Sequence, residues 1–189
     1  EKETGVTTFF VVHEIDTGDI IYQEKEPIYD DDDAGTLHDR LMEKGAELVL
    51  KTVQAIDKGN CPQISQQSIN SKEIKYAPKI MKETCRINWE LPSQKVVDFV
   101  RGLAPYPAAW TILSGKSLKI FTTKIIKGIE EIEEVKAKKS VEDKPGTYLT
   151  DNKKFLHYVT GDGLLAVEVV QMEGKKRMNI EEFLRGWQE

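Results

Sequence analysis

Apolar positions in the first third of the chain form two short runs and then one long periodic stretch. Residues 6–12, Val-Thr-Thr-Phe-Phe-Val-Val, are β-branched and aromatic with little alternation, which predicts a strand buried on both faces. Residues 19–28 predict a second strand closed by Pro27, and the acidic run from Asp30 to Gly35 predicts a loop. Thr36-Leu37-His38-Asp39 is a helix start of the Ser/Thr-x-x-acid kind. Leu37, Leu41, Leu48, Val49, Val53 and Ile56 then fall near one helical face, and Lys58-Gly59 predicts the stop. This is α/β material.

The pattern changes after residue 60. Residues 60–80 are polar, aperiodic and bounded by Pro62 and Pro78, so 61–80 read as a linker. Ser93 to Leu103 predicts a short helix capped by Ser93, with Val96, Val97, Phe99, Val100 and Leu103 as its apolar contacts. Strand-like segments follow at 108–113, 117–126, 146–150, 154–160 and 164–172. Gly115-Lys116, Asp151-Asn152 and Gly161-Asp162-Gly163 mark hairpin turns between them. Several short strands in sequence suggest a small barrel. Residues 129–145 are charge-rich and read as a mobile excursion, and Asn179 caps a last short helix running through Trp187. The organisation expected is an α/β region over 1–60, the linker, and a β-rich domain over 81–189.

Composition narrows the class without fixing the activity. With 189 residues, 39% hydrophobic and 31% charged, the chain suits one or two soluble domains with ordinary cores. No apolar stretch has bilayer-spanning length and no basic leader precedes an apolar segment, so the expected location is cytoplasmic. Cys61 and Cys85 lack CxxC spacing and read as two reduced thiols rather than a disulfide or zinc site. The start at Glu1-Lys2-Glu3-Thr4-Gly5, without a methionine and almost immediately before a strand, reads as a cut chain.

Charge is unevenly spread. Residues 1–60 hold six basic and fifteen acidic side chains, whereas residues 61–128 hold eleven basic and four acidic ones. A local basic field on an acidic protein attracts phosphates, although unevenly placed surface lysines would give the same count.

Most candidate chemistry fails on spacing. Gly115-Lys116-Ser117 lacks the earlier glycine of a phosphate-binding loop, since Trp110 stands there. His13, His38 and His157 have no metal-ligand spacing, and no nucleophile elbow occurs, so no metal is expected. The turn His13-Glu14-Ile15-Asp16-Thr17-Gly18-Asp19 is different, because it places Asp16 directly after a predicted strand, where α/β folds tend to carry catalytic groups. The same Asp-Thr-Gly can arise from turn chemistry alone, since Asp bonds its own backbone and Gly accepts a positive φ.

Read together, ETGVTTFFVVHEIDTGDII, DAGTLHDRLMEKGAELVL, KYAPKI, INWELPSQKVVDFVRGLAPYPAAW and GKKRMNIEEFLRG resemble the methionyl-tRNA formyltransferases, in the same order and over almost the whole chain. The resemblance implies the later half of a Rossmann-like catalytic domain through about Gly59, then an oligonucleotide-binding (OB)-like tRNA-binding barrel. It implies transfer of a formyl group from formyltetrahydrofolate to the α-amino group of initiator methionyl-tRNA, with no metal. Asp16 matches the aspartate of that family's Asn/His/Asp set, and Val12, His13, Glu14 and Ile15 match a loop lining the pterin pocket. The family's Asn, His and folate loop have no match here, and the piece alone is expected to be inactive.

On the same footing Lys79, Lys82, Arg101, Lys116, Lys119 and Lys124 are candidate contacts to tRNA phosphates. Trp89, Tyr106 and Trp110 are read as core rather than as base-stacking platforms. A monomer is expected. Two alternatives stay open: a non-catalytic tRNA-binding module, and a related sugar-nucleotide formyltransferase.

Overall fold

The computed structural model describes residues 1–66, 77–126 and 144–187, which divide into two units, Glu1–Lys79 and Ile80–Glu189. Half of the polar linker and most of the expected charge-rich excursion lie outside the described residues.

In the first unit, strand β1 (Glu3–Phe9) pairs antiparallel with β2 (Ile20–Pro27), from Glu3 opposite Pro27 to Thr8 opposite Tyr22. Helix α1 (Ala34–Asp57) packs against both. The helix begins earlier than the sequence predicted, because Asp33 is the cap. The Asp33 side chain accepts the Thr36 N–H at 2.8 Å, while the Asp33 N–H donates to the Thr36 hydroxyl at 3.1 Å. Two orphan donors are thereby satisfied reciprocally, with the residue order of the expected box reversed.

Two burial expectations for this unit are overturned. Residues 6–12 are not a strand buried on both faces: β1 alternates between exposed and half-buried positions, and Val11 and Val12 lie beyond it, exposed. One helix covers one face of a two-stranded sheet, so alternation is the natural outcome. The line that α1 buries is Leu48, Thr52 and Ala55, leaving Val49, Val53 and Ile56 about half exposed. Small residues win where the helix approaches the strand, and the hydroxyls of Thr52 and Thr8 meet there at 2.9 Å.

Arg40 ties helix to sheet. Its Nε donates to Glu26 at 2.8 Å and its two terminal nitrogens donate to the two carboxylate oxygens of Asp32 at 2.6 Å each. That fork holds the Asp32 carboxyl well below the usual range, against the opposing cost of its burial.

The second unit is one antiparallel sheet in the order β3 (Ala109–Leu113), β4 (Lys116–Ile125), β7 (Leu164–Met172), β6 (Leu156–Val159), β5 (Tyr148–Thr150), with β8 (Met178–Asn179) on β7. Register shifts between Ile120 and Thr123 against β7 bend the sheet, as extra residues in one strand do. Helix α2 (Ser93–Leu103) lays Val96, Val100 and Leu103 into a core with Leu113, Leu118, Ile120, Leu165 and Val170. Helix α3 (Ile180–Arg185) adds Phe183 and Leu184, and Asn179 caps it as expected by accepting the Glu182 N–H at 2.9 Å.

The cap of α2 differs from expectation. Ser93 stands inside the helix, and the acceptor for its N–H is the Asp162 carboxylate, 2.7 Å away across 69 residues. The buried Ser93 hydroxyl lies 2.8 Å from the same carboxylate oxygen and 2.7 Å from the Thr160 hydroxyl. Hydrogen bonds from Ser93 lower the Asp162 carboxyl below its ordinary value. The Gly161-Asp162-Gly163 turn therefore serves α2 as well as the hairpin. A side chain at Gly161 would strike the Glu90 carbonyl oxygen at 2.2 Å, so the turn needs glycine to lie that close.

The three aromatics expected in the core separate. Trp89 is buried, stacked on Tyr158 at 4.2 Å between centroids, and donates its Nε1–H to the Thr111 hydroxyl. Trp110 is half-buried and donates to the Lys82 carbonyl at 2.8 Å. Tyr106 stands on the connection between α2 and β3 and is 84% exposed, which corrects its assignment to the core.

Candidate functional site

Beyond β1 the chain leaves the sheet at Phe10 and returns at Asp19, where the Phe10 N–H donates to the Asp19 carbonyl at 2.9 Å. Each residue of Asp16-Thr17-Gly18 has a local reason to be there. Asp16 adopts a φ of 59°, a left-handed conformation that Asp tolerates better than most residues. The Thr17 hydroxyl donates to the Glu14 carbonyl at 3.2 Å. Gly18 passes so close to Phe10 that a Cβ would lie 1.6 Å from the Phe10 carbonyl oxygen. The Asp16 carboxylate is exposed and makes no hydrogen bond or ion pair among the described residues, so the fold constrains its backbone while leaving the side chain unused.

The neighbouring residues are open as well. Val11, Val12 and Ile15 expose apolar side chains, at 91%, 51% and 88%, and His13 and Glu14 are exposed beside them. Planar ligands bind where apolar surface adjoins a few fixed polar groups, and this loop presents both. The segment after α1 closes its other side. Ile20 and Ile64 exchange main-chain hydrogen bonds at 2.8 and 2.9 Å, and the Gln66 side chain reaches the loop's carbonyls. The beginning of the expected linker is therefore part of the first unit.

Two groups of basic residues stand out in the second unit. Lys119 stands opposite Trp110 across β3 and β4, with the Arg86 guanidinium 5.6 Å from the Trp110 ring and the Lys82 carbonyl bound to the indole. Lys116 instead borders a cleft of about 840 Å³ between the β3–β4 turn, the β7–β8 turn and α3. Its rim carries Lys116, Lys175, Lys176 and Arg185 against one acid, Glu182, over a floor that includes Met178, Phe183 and Trp187.

The sequence-predicted set is not one patch. Lys116 and Lys124 stand eight residues apart on β4, roughly 26 Å by strand geometry. Arg101 donates its Nε–H to Asp98 at 3.0 Å, and Lys79 belongs to the other unit. Sequence reasoning missed Lys175, Lys176 and Arg185 as site residues, though Lys175-Lys176-Arg177 is a visible basic run. Among the described residues no cluster of three or more His, Cys, Asp or Glu could hold a metal, and no helix is long and apolar enough to cross a membrane.

Comparison with known proteins places this geometry. The family model described as "Formyl transferase, C-terminal domain" matches residues 79–188, and the one described as "Formyl transferase" matches residues 1–53. A methionyl-tRNA formyltransferase of Bacteroides fragilis is 44% identical over 99% of this chain, and one of Phocaeicola vulgatus is 46% identical over 99%. The chain spans 56% of the length of each. Among solved structures, HypX from Aquifex aeolicus in complex with tetrahydrofolic acid matches all of this chain with 33% of its own, at a TM-score of 0.65 and 22% identity, a likeness of fold. With family matches on both sides of the boundary between its two units, the chain belongs to the formyl transferases.

Proposed function

We propose that this chain is part of a methionyl-tRNA formyltransferase, which moves a formyl group from formyltetrahydrofolate to the α-amino group of initiator methionyl-tRNA. The observation that carries this reading is the Asp16 turn: a left-handed aspartate beside a glycine whose approach to Phe10 leaves no room for a Cβ, with a carboxylate that makes no hydrogen bond or ion pair among the described residues. The methionyl-tRNA formyltransferases of 44–46% identity support the substrate.

The chemistry needs such a group. As a neutral amine attacks the formyl carbon, an oxyanion and an ammonium develop; the carbonyl re-forms as the bond from the formyl carbon to the folate nitrogen breaks, and the proton lost by the ammonium is relayed to that departing nitrogen. Asp16, facing solvent at the loop's end, holds the water that relays that proton. Its carboxylate also favours the protonated state of the family's catalytic histidine, which has no match in this chain and which stabilises the oxyanion. Val12, His13, Glu14 and Ile15 form the wall that a pterin lies against, and the exposed Val12 and Ile15 side chains fit that planar, partly apolar group. The formyl donor supplies the one-carbon unit; this chain orients it.

The second unit serves as an OB-like platform for the tRNA. Lys82 and Lys119 lie with the Trp110 face, Lys116 with the basic cleft, and Arg101 and Lys124 complete this unit's phosphate contacts, while Lys79, in the first unit, is a separate candidate. Such contacts set position and salt dependence rather than sequence choice.

The test is single-turnover formylation of methionyl-tRNA by the complete gene product, by its Asp16→Asn variant and by this chain. Turnover by the complete protein that falls about a hundredfold or more in Asp16→Asn supports the reading. Near-normal turnover in Asp16→Asn contradicts the role of Asp16. Salt-sensitive tRNA binding without turnover in any form supports a binding module instead, and formylation of an amino-sugar nucleotide in place of methionyl-tRNA supports the sugar-nucleotide alternative.

A further inference from the structure

Gln66 lies in a stretch whose sequence shows no periodicity and no motif, yet its carboxamide makes the tightest side-chain contacts to the Asp16 turn. Its Nε2 donates to the Asp16 carbonyl at 3.0 Å and to the Gly18 carbonyl at 2.6 Å. One NH₂ group has two protons, and here both are spent on the carbonyls that flank Thr17. Two further constraints bracket the same turn: the Phe10 N–H on the Asp19 carbonyl, and the reciprocal Ile20–Ile64 pair that anchors Gln66's own segment two residues away.

We infer that Gln66 is a positioning residue for Asp16, a side-chain clamp that fixes the left-handed turn and so the direction in which the Asp16 carboxylate points. With φ at 59° the Asp16 Cα–Cβ direction is set by the peptide planes on either side, and Gln66 holds the plane that carries the Asp16 carbonyl. A residue that tolerates several backbone conformations needs an external hold to keep one of them, and Asp16 carries no side-chain hydrogen bond among the described residues that would do it. The hold comes from outside the loop. Movements of this size matter, because displacing a reacting group by about 1 Å costs up to about a hundredfold in rate.

The inference rests on the proposed role of Asp16, so its test is built to separate the two. In the complete enzyme, Gln66→Met keeps the length of the side chain and removes both donors, whereas Gln66→Lys keeps a donor able to reach two carbonyls. The expected result is a loss of about ten- to a hundredfold in kcat for Gln66→Met with KM for methionyl-tRNA nearly unchanged, and a smaller loss for Gln66→Lys. On an Asp16→Asn background, Gln66→Met should add less than about twofold, since a clamp that acts through Asp16 has nothing left to orient. Melting of the variants, followed by circular dichroism, confirms that the compared proteins are folded.

If Asp16→Asn is inactive while Gln66→Met turns over within about twofold of the parent, or if the two losses multiply independently, the clamp is refuted and the role of Asp16 stands. If Asp16→Asn itself keeps normal turnover, the proposed function of the loop falls first. A purely structural Gln66 would lower the melting temperature and raise KM together and would not be rescued by lysine.

Discussion

The α-carbon of Gly18 sits against the carbonyl of Phe10, and a methyl group added there would come within 1.6 Å of the oxygen. Because Phe10 also donates its N–H to Asp19 at 2.9 Å, the strand ends are locked at the place where the loop turns back. Gly18→Ala cannot be absorbed by a side-chain shift, since the obstructing atom is backbone. It should cost the first unit about 2–4 kcal/mol and displace the Asp16 turn. Thr17→Ala, which loses only an exposed 3.2 Å bond to Glu14, should cost less than about 1 kcal/mol. Urea unfolding of the two variants side by side checks this, and equal midpoints would show that the close approach carries no stability.

The cap of α2 invites a similar test. Ser93 is 5% exposed and meets both Thr160 and Asp162. Ser93→Ala removes the hydroxyl that links them and should destabilise the second unit by about 1–2 kcal/mol, read as a lower urea midpoint with an unchanged m-value. Asp162→Asn retains an oxygen for the Ser93 N–H and should cost less than Asp162→Ala. Reversal of that order would mean that the carboxylate does not serve as the cap.

A third expectation concerns pH. His157 is held on β6, half-buried and stacked on Phe155 at 4.5 Å, with a buried Nδ1 that has no hydrogen-bond partner among the described residues. Burial pushes its imidazole down to about 4, with the nearby Asp151 charge opposing the shift. Between pH 4 and the ordinary histidine value near 6.5, the unfolded chain binds a proton that the folded chain refuses. Stability contributed by the neutral ring is therefore complete above pH 6.5 and lost as pH falls through that window. After allowance for partial solvent access, the loss should amount to about 1–2 kcal/mol. His157→Phe should flatten the stability profile between pH 6.5 and 4, and a slope that persists in this variant would place the titration elsewhere.

How far these features could be read from sequence depends on their range. The hairpins of the second unit were legible because Gly115 and Gly161-Asp162-Gly163 carry turn chemistry locally, although the first turn is Ser114-Gly115, with Lys116 opening β4, rather than the expected Gly115-Lys116. The helix α2 was legible for the same reason, through its apolar spacing. Its cap was not, because Asp162 is 69 residues away and Ser93 is the kind of residue that would cap it locally. Helical periodicity likewise located α1 but could not say which apolar stripe it buries, since Val49, Val53 and Ile56 fit a face as well as Leu48, Thr52 and Ala55 do. At the site, Asp16 stood out through its place after a strand and the family resemblance, while its turn chemistry differs from that expected, because the positive φ falls on Asp16 and Gly18 is needed instead for its close approach to Phe10. Gln66 did not stand out, because nothing in a polar stretch indicates which amide will find two carbonyls some fifty residues upstream.

The basic cleft gives the last prediction. Phosphate contacts release counterions, so each one adds to the dependence of binding on salt, by close to one unit of logarithmic slope on duplex nucleic acid and less on single strands. Lys175 and Lys176 sit together on the β7–β8 turn and face the same cleft as Lys116 and Arg185, where four cations outnumber the single Glu182. Replacing both lysines with alanine should weaken initiator tRNA binding to this chain by about tenfold or more at moderate salt and lower the slope by about two. Lys153→Ala, on the exposed turn between β5 and β6, should leave both quantities unchanged. Filter binding at several salt concentrations separates the cases. A double variant that weakens binding without altering the slope would mean that the cleft acts through packing, and one that changes neither would move the tRNA contact to the Trp110 face, where Lys119 and Arg86 stand.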